Sequence, residues 1–154
     1  MGFARQAGAA VILVTLTLWL QCAGMAVLID LARTYIARST KGLSAWRAAG
    51  LICRFSGVTI VLHLLQILLW ATFYRWYCVP TWEASFYFSG SSYSTVGYGD
   101  VVLPRVWRAL GPVESITGVL MCGMSVSALF AIATRLVAAE TKSLGESGIL
   151  SPEI

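Results

Sequence analysis

Three stretches of this chain carry no charge, and each is long enough to cross a bilayer. Residues 6–29, 55–74 and 115–134 hold 24, 20 and 20 uncharged, mostly apolar residues, closed off by Arg5 and Asp30, Arg54 and Arg75, and Glu114 and Arg135. A helix rises about 1.5 Å per residue, so each run can cross a hydrocarbon core of about 30 Å. Only 12% of residues are charged, about half the share usual in a soluble domain. The expected fold class is an all-α membrane protein with three transmembrane helices embedded in a lipid bilayer. The net charge of +4 falls between the apolar runs, so it reads as a topology signal rather than as a nucleic-acid surface.

The first run also has the outline of a secretory signal, ending near Cys22-Ala23-Gly24-Met25-Ala26. Its apolar stretch continues through Val27-Leu28-Ile29, longer than a usual signal core, and a span is the expectation. The segment between the first two runs carries Arg33, Arg38, Lys41, Arg47 and Arg54. The segment between the second and third holds Arg75, Arg105 and Arg108, and the N-terminus only Arg5. The positive-inside rule then puts residues 30–54 in the cytoplasm, the N-terminus outside and the C-terminus inside. The expected organisation is an N-terminal span with its basic loop (1–54), a central module (55–137) and a short cytoplasmic tail (138–154).

A fourth uncharged run, residues 84–99, reads ASFYFSGSSYSTVGYG and is too short and Gly-rich to span as a helix. A re-entrant segment fits better. Non-helical backbone at membrane depth is tolerated only where protein covers it or where it lines an aqueous cavity. Pro80-Thr81-Trp82-Glu83 makes a helix start, with Glu83 near the positive end of the helix dipole. A helix from Thr81 to Tyr93 would reach about half-way into the bilayer, its partly negative end favouring a cation there.

The chain then runs Thr95-Val96-Gly97-Tyr98-Gly99-Asp100. Gly97 and Gly99 can adopt backbone angles forbidden to other residues. Successive carbonyls can then point one way instead of alternating as in a strand. Rings of such oxygens replace the hydration shell of a potassium ion. One strand supplies one oxygen per ring, so four-fold rings need four chains. Thr95 can add its hydroxyl at the inner end.

This string, preceded by a short aromatic helix and followed by a span, resembles the selectivity filter of potassium channels. Residues 56–137 are similar to the two-helix pore module: outer helix, pore helix, filter, inner helix. The stretch Trp107-Arg108-Ala109-Leu110-Gly111-Pro112-Val113-Glu114 also resembles small bacterial members of the family. The resemblance implies a homotetrameric pore in which Thr95, Val96, Gly97, Tyr98 and Gly99 coordinate K+, with Asp100 bracing the outer mouth. Ser91 and Trp82 join Asp100 as expected filter support. Ser91 stands where many family members carry an acid, so an acid–Asp100 brace is absent. A prokaryotic inner membrane, or plasma membrane, is the implied location. The span at 6–29 lies outside the module and lacks the regular Arg/Lys spacing of a voltage sensor.

Other residues carry two readings each. Gly118 and Gly123 on the inner helix are either gating hinges or close-packing positions, and Gly123, Ser127 and Ala131 form a small-xxx-small stripe. His63 and Gln66 lie mid-span and are expected to hydrogen-bond another helix, with pH sensing by His63 the alternative. Glu114 reads as a favourable charge at a helix N-terminus. Four dispersed cysteines and one histidine make neither a metal site nor a catalytic arrangement. No enzyme activity, organic cofactor, nucleic-acid partner or small-molecule substrate is expected. Two rivals to a potassium channel remain: a weakly selective cation channel, and a non-conducting regulatory subunit.

Overall fold

The computed structural model describes residues 2–38 and 45–146, with side chains over 4–35 and 46–138. Within them the chain is all-helical: α1 (Gly2–Arg38), α2 (Ala45–Tyr77), α3 (Trp82–Tyr93) and α4 (Leu110–Glu146). Three of these are long and apolar enough to cross a membrane, over Ala4–Tyr35, Trp46–Tyr77 and Leu110–Ala138. The helices run past the uncharged stretches at both cytosol-facing and outer boundaries of the sequence reading. A charge does not end a helix, because Arg and Lys are good helix formers and their long stems carry the charged head to the interface. Of the expected tail, residues 147–154 lie outside the described residues.

Backbone contacts divide the chain into two compact units that cut across the helices. The first joins Met1–Ala23 to Val61–Met124, and the second joins Gly24–Ile60 to Ser125–Ile154.

The first unit holds the whole segment between α2 and α4. α2 stops because Pro80 lacks a backbone N–H and restricts the residue before it. The N–H groups of Cys78 and Val79 both return to the Tyr74 carbonyl, each at 2.8 Å. Thr81, extended at φ −124°, then caps α3: its hydroxyl accepts the Ala84 N–H at 3.3 Å. The core gathers Leu13 of α1, Trp70 and Tyr74 of α2, Val79, Leu103 and Leu110. Aromatic rings meet edge to face around it, Tyr74 with Phe88 at 5.1 Å and Phe73 with Trp107 at 5.2 Å. That is the arrangement the ring quadrupole favours.

In this unit α1 is held by polar contacts as well as by packing. Trp70 Nε1 donates to Thr17 Oγ1 at 2.9 Å, and Gln66 Nε2 donates to Gln21 Oε1 at 2.7 Å. Thr17, Gln21, Gln66 and Trp70 are all fully buried. At the N-terminal end of α1, Arg5 stacks on the Trp107 ring at 5.7 Å, and Gln6 Oε1 accepts the Ala109 N–H at 3.1 Å.

The second unit packs the remaining parts of α1, α2 and α4 through apolar side chains. Met25, Leu28, Ala32, Leu51, Phe55, Ile132 and Leu136 are its buried residues of that kind among those described. Across the side chains described there, four arginines (Arg33, Arg47, Arg54, Arg135) face one acid, Asp30.

Candidate functional site

The loop that follows α3 is built on the carbonyls of the helix's last turn. Ser94 ends the helix, its N–H returning to the Gly90 carbonyl at 3.0 Å. The Ser92 carbonyl accepts the Thr95 N–H at 3.0 Å. The Ser91 carbonyl accepts two donors, Val96 N–H at 2.9 Å and Gly97 N–H at 3.1 Å. The Ser91 hydroxyl lies 3.4 Å from the Tyr98 nitrogen. Ser91 is thus brought against the loop over three residues.

The backbone of the loop alternates in handedness. Thr95, Gly97 and Gly99 have φ of 63°, 57° and 81°, while Val96 and Tyr98 between them do not take positive φ. Reversing every second residue is the pattern that turns alternating strand carbonyls towards one side. Glycine adopts it freely. Thr95 is β-branched, and holding it there costs of order 1–3 kcal/mol, which the hydrogen bonds to α3 offset. The side chains of this segment are open, with Val96 52% and Tyr98 72% exposed. Beside Thr95 and Gly97 lies a cavity of about 670 Å³, walled by Phe88 and Ser92 of α3 and Gly111, Ser115 and Ile116 of α4.

Asp100 caps the turn after the loop, accepting the Val101 N–H at 3.0 Å. Its other neighbour was not visible in the sequence. The Tyr87 phenol on α3 hydrogen-bonds Asp100, and this bond, with burial and the nearby carboxylate charge, raises its pKa above the ordinary tyrosine value. The Tyr87 and Tyr98 rings stack at 6.3 Å with planes 12° apart. Trp82, by contrast, sits at the first turn of α3, half exposed. Among the described residues it makes no hydrogen bond or ring contact with the loop.

Behind α3 lies a buried polar layer. Glu114 is not at the helix start in the sense expected from sequence: α4 has no acid in its first turn, and Glu114 is fully buried. A dipole effect fades within the first turn. What holds the carboxyl is direct bonding, from the Tyr74 hydroxyl at 2.8 Å to one oxygen and from Ser89 of α3 to the other. The Ser89 hydroxyl also lies 2.9 Å from the Ile67 carbonyl. Ser115 donates to the Ser92 carbonyl at 2.7 Å, tying α4 to the last turn of α3.

A second chain of bonds runs through Tyr93, the last residue of α3. Tyr93 Oη donates to Gln66 Oε1, so the 2.8 Å contact with His63 Nδ1 needs a proton on that nitrogen. Gln66 Nε2 continues to Gln21 Oε1, and Gln21 Nε2 to the Met121 carbonyl of α4 at 3.3 Å. Four helices therefore converge on the residue two positions before Thr95. Gly118 passes the same point: a Cβ there would lie 2.2 Å from the Tyr93 carbonyl oxygen, whereas one at Gly123 would meet nothing within 4 Å. Close approach of α4 to α3 thus requires glycine at 118 and not at 123.

Residues 60–135 match the ion channel family. The match takes in most of α2, all of α3 with its loop, and α4 up to Arg135. This segment is similar to ion channel domains, and three helices long and apolar enough to cross a bilayer mark the chain as a multi-pass membrane protein. α1 lies outside the matched residues. No curated protein and no solved structure matches the chain significantly.

Proposed function

We propose that the chain is one subunit of a homotetrameric, potassium-selective channel. The observation that carries this is the alternation of positive φ at Thr95, Gly97 and Gly99 in a TVGYG loop, set at the end of a short helix inside the segment that matches the ion channel family. In this reading the carbonyls of Thr95, Val96, Gly97 and Tyr98, with the Thr95 hydroxyl, coordinate K+ in stacked rings, and Gly99 shapes the outer mouth. Ions enter by exchanging water for carbonyl oxygens and leave by repulsion from the next ion. Asp100 and Ser91 support the loop, and Trp82 acts from the membrane interface. Residues 55–137 form the pore module. Gly123, where an added Cβ would meet nothing within 4 Å, is the better-placed hinge, since Gly118 is committed to packing.

Four-fold assembly is supported by what one subunit leaves uncovered. Exposed Val96 and Tyr98, and the cavity beside Thr95, need a covering at membrane depth. Neighbouring subunits around a common axis supply it on one side and permeant ions on the other. The chain would lie with its N-terminus outside and C-terminus in the cytoplasm of a plasma or bacterial inner membrane.

The test is the reversal potential of purified protein in planar bilayers, potassium on one side and sodium on the other. A value near the potassium limit is expected. Robust current reversing near zero would sink selectivity and favour a weakly selective cation channel. Silence from the pure protein, with current restored by a co-purifying partner, would favour a regulatory subunit.

A further inference from the structure

We infer that the groove between α1 and α4 in the second unit is a binding site for an anionic phospholipid, with Arg33 and Arg135 taking its phosphate. The groove is a cavity of about 140 Å³ with the two arginines on its wall. Its floor is apolar, made by Ile29 and Ala32 of α1 and Ala128 and Ile132 of α4.

Three observations point to a lipid. The first is depth. Arg33 follows the uncharged run 6–29 by about one helical turn and Arg135 closes the run 115–134, so both sit where head groups meet acyl chains. Both helices present their cation at the same level, whichever way the chain crosses the membrane.

The second is charge. Both arginines are exposed, and among the described residues neither forms an ion pair. Asp30, about one turn before Arg33, is the only acid among the side chains described in this unit, against four arginines. An arginine fork binds phosphate oxygens in pairs, and two of them from different helices can hold one phosphate from two sides. Basic pockets between transmembrane helices take anionic head groups for this reason.

The third is the floor. A free phosphate would gain nothing from Ile29 and Ile132, whereas an acyl chain packs along them. Alanines at 32 and 128 keep the slot open. A lipid seated here would join α1, which lies outside the ion channel match, to α4 within it.

The test is native mass spectrometry of the purified full chain, released from detergent doped with phosphatidylglycerol or phosphatidylcholine. Wild-type protein is expected to retain phosphatidylglycerol selectively. The pair Arg33→Gln and Arg135→Gln should weaken retention roughly 30-fold, from two cations each acting near the membrane surface. Ala128→Phe, which fills the slot but leaves both charges, should also weaken it. Arg47→Gln, outside the groove, should not. Unchanged retention in the double variant, or an equal loss in Arg47→Gln, would overturn the site in favour of diffuse attraction. Displacement of the lipid by glycerol phosphate at equal concentration would assign the groove to a free anion instead.

Discussion

Replacing Gly118 by alanine adds one methyl group at the tightest point between α3 and α4. The added Cβ would sit 2.2 Å from the Tyr93 carbonyl oxygen and 3.1 Å from its Cγ, where ordinary contact begins at 3.4 Å. One of the two backbones must therefore give way by about 1 Å, since the obstacle is a carbonyl and not a side-chain tip. Overpacking of this kind costs about 1–3 kcal/mol, and more when backbone has to move. Against it stands the helix propensity of alanine over glycine, about 1 kcal/mol in the favourable direction. At Gly123 the propensity gain acts alone, because nothing lies within 4 Å of the added atom. The two variants of one helix should thus separate by about 1–3 kcal/mol, the cost that only position 118 bears. Denaturant titration of the protein in mixed micelles, followed by circular dichroism, reads that difference. Tyr93 is two residues before Thr95, so Gly118→Ala should also lower single-channel conductance, while Gly123→Ala should leave conductance intact even if it changes open probability. Equal stability and equal conductance for the two variants would refute the close-packing argument.

Tyr87→Phe removes the phenol that pairs with Asp100. Because that phenol's pKa is raised in the folded protein, the stability it contributes is fully present below the ordinary value of 10.0 and is lost only as pH rises beyond it. Wild-type thermal stability should therefore be flat with respect to this pair through neutral pH and fall in the alkaline range, and the variant should lack that component of the fall. Glu114→Gln keeps an acceptor for Tyr74 and a polar group at Ser89, and should be tolerated. Glu114→Leu strands the buried Tyr74 hydroxyl, while Ser89 keeps the Ile67 carbonyl as acceptor, and should cost about 1–3 kcal/mol in the same titration. Gln21→Leu and Gln66→Leu, combined in a double-mutant cycle, should show a coupling of about 0.6–1.7 kcal/mol. Additivity would mean that the 2.7 Å contact between them contributes nothing.

What could be read from the sequence was local. Pro80-Thr81-Trp82-Glu83 as a helix start and glycines at alternate positions in TVGYG act on their own neighbourhood, and the structure has Thr81 capping α3 and left-handed backbone at 95, 97 and 99. The helix lengths were underestimated because charge marks the edge of the hydrocarbon, not the end of hydrogen bonding. Glu114, Tyr87 and Gln21 were misread or missed for a different reason. Their partners are 25 and 40, 13, and 45 and 100 residues away, and no periodicity within one helix names a partner on another. One signal was present. Apart from Gln6 at its edge, Gln21 is the most polar residue in an uncharged run of 24, four residues after Thr17, on the same helical face. A polar pair at that spacing in a span asks for partners of matching spacing, and Gln66 and Trp70 on α2 have it.

That register explains why α1 packs with the matched segment although it lies outside the ion channel match. Thr17 bonds Trp70 and Gln21 bonds Gln66, so the numbers rise along α1 as they fall along α2, as two antiparallel helices in fixed register require. Leu13 and Tyr74, one step further along the same series, share the buried cluster. In hydrocarbon, apolar faces give no preference between one register and the next, because lipid tails are as apolar as leucine. Two polar pairs at successive turns do, since sliding by one turn would keep at most one pair and leave two polar groups without partners where no water can replace them. The same Gln66 receives the Tyr93 hydroxyl, so the register of α1 on α2 is also a constraint on the end of α3. α1 is therefore a working part of the scaffold beneath the loop, and its removal should be felt at Thr95 before it is felt in the rest of α4.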